Sequence, residues 1–431
     1  MSTKSPYLAI FSAFAICLLT SSCAIKDLKD DLDIVAAEYG YLKGRVAGDV
    51  DGSTVLLAVF RQEQDGLSIA HARSVNSGEP FYVLLPDAGY TVTAFADING
   101  DFNYQPGEPA ARVDGPVINW FRDIDRKERV DADMLLIQEF RLADTLILDQ
   151  KIDLTLEGVR EENKIGKNFL RLVSWDDDAF SEENKQLGMW RPSAFQKQVG
   201  FGLYVLEEFD PAKKTVVLVH GINDTPRVFE NFVSTIPSDH QVLLFHYPSA
   251  FPLEYTSHIL TGALEVLIRR YAIPQLDVVA HSMGGLVSKG MIYQANDELR
   301  QRMPVFISVA TPFGGHSAAA SGLKWSPVIA PVWWAMAPGS AYLENIDSVD
   351  LTQGPAHHLV YSYSHELGGK RKKDDGVVTV ESQLVESAQR SATAVYGVAD
   401  NHVGVLTNPC TLALVHAILS DGSSEVAVSE C

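Results

Sequence analysis

The feature that most constrains the fold is a series of unbroken apolar runs in the second half of the chain. "TVVLVHGIND" begins at Thr215. "QVLLFHYP", "QLDVVAHS", "PVFISVATP", "HHLVYSYS" and "TAVYGVAD" follow it. A strand with one wet face alternates; a run apolar at every position must be buried on both faces, which is the situation of a strand inside a parallel sheet. Between the runs lie helical stretches such as "VFENFVSTI" and "SHILTGALEVLIRRY". Strands alternating with helices predict an α/β unit over residues 201–431 with a mostly parallel sheet.

One strand-to-helix junction carries chemistry. "LDVVA" reads as strand, "HSM" as turn and "GGLVSKGMIYQ" as helix. Ser282 stands in the turn, where the following helix directs its free N–H groups. This stretch resembles the nucleophile elbow of the α/β-hydrolase superfamily, in its bacterial lipase form, with Ala280 where glycine is more usual. The resemblance covers about half the chain, from Thr215 onward, and implies Ser282 as nucleophile. It also implies the chain order Ser, acid, His. The acid falls at Asp375, which begins "DGVV", with Asp374 as the fallback. The base falls at His402 in "ADNHVG", past the last strand. "HGIND" after the first strand implies an oxyanion hole formed by the backbone N–H groups of Ile222 and Met283; whether Asn223 or Asp224 orients that loop is open. His416 lies within a helix-like apolar run and reads as structural.

The implied reaction is hydrolysis of carboxylic esters, of lipid or acyl type, through a Ser-His-Asp triad and an acyl-enzyme, with no metal or organic cofactor required. A peptidase or acyltransferase could use the same triad, and a surface binding protein could carry it inert. "ATPFGG" resembles lipases and the GPI inositol-deacylase-like branch. The segment after it, with Trp325, Trp333 and Trp334, suits either a mobile apolar lid or helices packed at the edge of the core. The basic run Lys370 to Lys373 suits a solvated loop or a contact with an anionic head group.

Residues 39–149 change pattern. Runs such as "STVLLAVFRQ", "PFYVLLP" and "GYTVTAFAD" are bounded by Gly, Pro, Asp and Asn, which predicts an all-β sandwich. They resemble transthyretin-like or carboxypeptidase-regulatory-like modules. Within them, "DINGDFNYQPGE" sets oxygen-bearing side chains at Asp97, Asn99, Asp101, Asn103, Gln105 and Glu108. The spacing resembles an EF-hand calcium loop with Phe102 in place of the turn glycine; the other reading is a polar turn. Residues 150–200 read as a connecting or cap segment.

The N-terminus reads as an export signal over residues 1–22, with the apolar run Tyr7 to Leu19. It ends in "TSSC", which resembles the bacterial lipobox with Thr20 where leucine is commoner. Cys23 would then be acylated, anchoring the chain in the outer membrane, with 23–38, charged and helix-prone, as a tether or a short helix above the membrane. In an oxidising compartment the remaining pair, Cys410 and Cys431, reads as a disulfide, or else as two buried thiols. With 35 Lys+Arg against 55 Asp+Glu, the chain repels phosphate backbones, so nucleic acid is excluded as a partner.

Overall fold

The computed structural model describes residues 22–116, 138–154, 170–367 and 370–421, apart from residues 49, 51–52, 64–65, 76, 79, 87–88, 150, 349–350, 352–353 and 373. The expected signal segment up to residue 21, Lys373 and Cys431 lie outside the described residues.

The first half is a β-sandwich. Its strands are β1 (Tyr39–Ala47), β2 (Thr54–Glu63), β3 (Gly66–Val75), β4 (Pro80–Pro86), β5 (Gly89–Asp97), β6 (Ala110–Pro116) and β7 (Gln138–Arg141). An antiparallel sheet β3-β2-β5-β6 faces a smaller sheet β4-β1-β7. Val55, Leu57, Val59 and Val92 of one sheet meet Val46, Phe81, Val83 and Phe140 of the other. The second face of the larger sheet is buried as well. Leu56, Ala58, Phe60 and Phe95 pack under Leu148 and Ile152. Residues at and just past the expected end of the sandwich cover that apolar face.

The second half is built on an eight-stranded sheet. Its strands are β8 (Leu170–Leu172), β9 (Gly202–Val205), β10 (Lys214–Val219), β11 (His240–His246), β12 (Leu276–His281), β13 (Val305–Val309), β14 (Ala356–Ser362) and β17 (Ala394–Val398), with the hairpin β15 (His365–Leu367) and β16 (Lys370–Lys372) inserted after β14. The order is β17-β14-β13-β12-β10-β11-β9-β8. From β11 to β17 every neighbouring pair is parallel; β9 joins β11 antiparallel. The expected α/β class with a mostly parallel sheet behind a β-sandwich is the architecture found. Val216 to Val219 and Val278 to Ala280 are fully buried, as their unbroken apolar runs require.

The chain leaves β10 for β11 on one side and then crosses to β12 on the other. Loops after β10 and β12 therefore diverge and leave a crevice at the C-terminal edge of the sheet, where α/β sheets bind ligands.

The segment expected as a tether or short helix is the helix Ser22–Glu38, and it is docked rather than free. Leu28 enters the main core with Met189. Asp31 is buried and accepts hydrogen bonds from the Ser193 backbone N–H and Oγ at 2.8 and 2.6 Å, tying the helix to Pro192–Gln198. The three short helices Ser317–Trp325, Val332–Met336 and Ala341–Asp347 carry the tryptophan-rich segment. Trp333, Met336, Tyr342 and Ile346 are core residues, so these helices sit packed; Trp325 alone of the three tryptophans is broadly exposed, at 76%.

Candidate active site

Ser282 occupies a backbone conformation that L-residues avoid, φ 55° and ψ −128°, at the junction of β12 and the helix Met283–Gln294. Strain of this kind costs on the order of 1–3 kcal/mol and persists only where surroundings enforce it. They do so here. A Cβ on Gly284 would strike the carbonyl oxygens of Val219 and His220, and one on Gly285 would strike Thr311. The Ser282 N–H donates to the Val309 carbonyl at 2.8 Å, and the Gly285 N–H to the Ser282 carbonyl at 2.9 Å. The helix that follows is buried from Met283 to Ile292, so the turn cannot relax by moving it.

The structure brings Ser282, His402 and Asp375 together across more than ninety intervening residues on the longer side. The Ser282 hydroxyl lies 2.8 Å from His402 Nε2. His402 Nδ1 lies 2.7 Å from Asp375 Oδ2. Because the Asp375 carboxylate only accepts, the Nδ1 proton belongs on the imidazole and Nε2 is the free base facing the serine. Asp374, the fallback acid, accepts the Gly376 N–H at 3.1 Å, while Asp375 is the carboxylate on His402 Nδ1.

Asp375 is buried and fully satisfied. Oδ1 accepts the N–H groups of Val377 and Val378 at 2.9 and 2.6 Å; Oδ2 accepts Ser362 Oγ at 2.7 Å and Gln383 Nε2 at 3.2 Å. Burial pushes its carboxyl up, but the hydrogen bonds from His402, Ser362 and Val377 outweigh burial and hold it below the ordinary carboxylate range. Ser362 and Gln383 were invisible to sequence reasoning, since nothing local marks a serine ending a strand or a glutamine in a short helix.

Two further histidines hold the site. His281 Nε2 donates to the His402 carbonyl at 2.8 Å, with ring centroids 4.8 Å apart, and burial pushes its imidazole down to about 3, so it is neutral. His220 stacks on Tyr247 at 4.3 Å, and its Nδ1 donates to the Gly221 carbonyl at 2.9 Å. The loop after β10 is pinned again where the Asn223 N–H donates to Ser249 Oγ at 3.0 Å. Gly221 lies close enough that a Cβ there would come 3.0 Å from that of Ser282. Neither the Ile222 nor the Met283 N–H has a protein acceptor among the described residues. Met283 is the first residue of its helix, where an N–H has no intrahelical partner.

These groups open into a cleft of about 250 Å³. Gly221, Ile222, Ser282 and His402 form its floor; Met189, Trp190 and Trp333 form apolar walls, and Lys185 and Asp224 reach it as polar groups. The cap helix Glu182–Trp190 supplies three of these side chains.

The remaining residues singled out in the sequence fall elsewhere. His416, read as structural, is exposed and its Nδ1 donates to the Thr235 carbonyl at 2.8 Å, away from the cleft. Cys410 is disulfide-bonded. In the Asp97–Glu108 loop the acids turn onto the loop's own backbone. Asp97 accepts the N–H groups of Asp101 and Phe102, Asp101 that of Asn103, and the two Glu108 oxygens accept those of Ile98 and Gln105. Asn99 and Gln105 direct their amides at Asp101. No cluster of three or more His, Cys, Asp or Glu suited to a metal occurs among the described residues. Phe102 takes the left-handed φ of 62° that a turn glycine would.

No protein-family model matches the chain, and no curated protein matches it. Solved structures match over about half of it. The mature lipase BlEst2 of Bacillus licheniformis aligns with a TM-score of 0.39 at 15% identity, covering 49% of this chain and 94% of its own. Aspergillus fumigatus lipase B aligns at 0.39 and 18%, covering 51% of this chain and 56% of its own, and the Pyrococcus furiosus esterase PF2001 at 0.34 and 16%, covering 50% and 84%.

Proposed function

We propose that the protein is a serine hydrolase that cleaves carboxylic esters, of acyl or lipid type. The observation that carries this reading is the continuous relay from the Ser282 hydroxyl through His402 to Asp375, set in a strained turn beneath two unused backbone N–H groups. His402 Nε2 takes the serine proton as Oγ attacks the ester carbonyl. The N–H groups of Ile222 and Met283 receive the oxygen as it becomes negative, and Asp375 stabilises the imidazolium. His402 then passes the proton to the leaving alcohol, and water activated by the same imidazole releases the acid.

The apolar walls of Met189, Trp190 and Trp333 suit an acyl chain. The expected acyl anchor on Cys23 is consistent with such a substrate. Cys23 belongs to the helix that docks by Leu28 and Asp31 against the cap, roughly 8 Å of helix away, so an anchor there would hold the cleft near a membrane surface. We infer an exported lipoprotein of the outer membrane; acyl groups on Cys23 in the membrane fraction, read by mass spectrometry, test it.

The activity is tested with p-nitrophenyl esters of short, medium and long acyl chain beside matched anilides, on the wild type and Ser282→Ala. Ester turnover that rises with chain length and falls by a factor on the order of 10⁶ in the variant is expected. Faster turnover of the anilides would favour a peptidase. No turnover and no fluorophosphonate adduct on Ser282 would leave an inert binding protein.

A further inference from the structure

Asp224 is a charge in the cleft that the ester-cleaving machinery does not use. It lies two residues beyond Ile222 on the loop after β10 and faces the same crevice as Ser282 and His402. Its Oδ1 accepts the Thr225 N–H at 2.9 Å, and no ion pair of Asp224 occurs among the described residues. The cation nearest in chemistry, Lys185, is already committed: its Nζ lies 3.2 Å from Glu182 Oε2 across one turn of the cap helix. A carboxylate among Met189, Trp190 and Trp333 without a counter-ion is costly to keep ionised. Burial, with a smaller push from the Glu182 charge, accordingly raises its carboxyl to about 6, against the smaller lowering effects of the Thr225 N–H, Lys185 and His402. Unpaired charge of this kind in a cleft marks a place where a ligand completes the pair.

The sign and place of that ligand charge follow. The leaving alcohol must face His402 Nε2, which returns its proton, and Asp224 lines the same cleft as His402. The whole chain, at −20, also attracts cations.

Building on the ester-hydrolase reading, we propose that the cleft selects esters whose alcohol arm carries a positive charge, with Asp224 as the counter-ion that recognises it. Asp224 is a specificity residue and takes no part in bond making.

The test compares choline butyrate with 3,3-dimethylbutyl butyrate, its uncharged carbon isostere, through the ratio of their kcat/KM values. The wild type should favour the cationic ester by about tenfold or more, the size of one close charge pair in a partly wet site. Asp224→Asn keeps the side-chain size and the oxygen that caps Thr225 but removes the charge, and should bring the ratio to about one. Asp224→Glu should retain part of the preference. The wild-type ratio should also fall as pH drops below about 6, where Asp224 takes up a proton. Fluorophosphonate labelling of Ser282 reports that each variant is folded. A wild-type ratio near one, or a ratio that survives Asp224→Asn while both rates fall together, overturns the proposal and makes Asp224 a loop-forming residue only. Hydrolysis of neither ester by the wild type is the different failure, that of the ester-hydrolase reading itself.

Discussion

Asp375→Asn is the substitution whose outcome the geometry fixes most tightly. The new amide has one acceptor and one donor end, and its surroundings decide which goes where. At the Oδ1 position two backbone N–H groups, Val377 and Val378, point inward at 2.9 and 2.6 Å, and neither can turn away. The amide oxygen must take that place. The amide nitrogen then falls at the Oδ2 position, against the His402 Nδ1–H at 2.7 Å and the Gln383 amide at 3.2 Å. Two donors cannot share that contact, so His402 moves its proton to Nε2, leaving Nδ1 to accept. An Nε2 that carries a proton cannot take one from Ser282. The loss should be about 10⁴-fold in kcat, or about 5.4 kcal/mol of transition-state stabilisation. The assay is turnover of the best p-nitrophenyl ester together with the rate of fluorophosphonate labelling, since both need the serine deprotonated. Labelling should slow in parallel while Ser282 remains the labelled site. A variant within tenfold of wild type in either rate would show that the tautomer argument, and the role assigned to Asp375, is wrong.

Stability should fall steeply with acid. Burial holds His220 and His358 at about 4 and His281 and His357 at about 3, all below the ordinary 6.5. The unfolded chain therefore binds protons that the folded chain refuses, and each histidine removes up to about 1.4 kcal/mol per pH unit from 6.5 down to its folded value. Asp224, raised to about 6, offsets roughly one of the four between pH 6 and 4. Urea midpoints at pH 7.5, 6 and 5 check this; midpoints that do not move would contradict the neutral buried histidines. Lys289 is buried in the elbow helix, 2.7 Å from Asp347, which is itself 30% exposed. Lys289→Ala should lose about 3 kcal/mol, somewhat under the cost of breaking a fully buried pair because water reaches Asp347, and Lys289→Met should lose less than half of that by refilling the space. Equal losses in urea unfolding would mean that the charge, not the packing, dominates there.

The sequence carried the sheet and the elbow because both are local. Unbroken apolar runs report burial on two faces, and "HSMGG" shows small residues where backbones crowd: Gly284 and Gly285 are placed against Val219, His220 and Thr311. Ser282, Asp375 and His402 could be named from chain order and their position at strand ends, and the structure sets them within hydrogen-bonding distance. Charge composition likewise needed no coordinates. Contacts between distant segments left no trace in the chain. The covering of the sandwich by Leu148 and Ile152, the docking of the first helix through Asp31 onto Ser193, and the Ser362 and Gln383 contacts to Asp375 each join segments whose local pattern is unremarkable. A spacing gives the order of oxygens along the chain, but only the folded loop decides whether they converge on an ion or turn back onto their own N–H groups. Periodicity and turn chemistry act over a few residues and can be read in one dimension. Which side chain meets which across the fold is settled by the packing of whole elements, and that is a property of three dimensions.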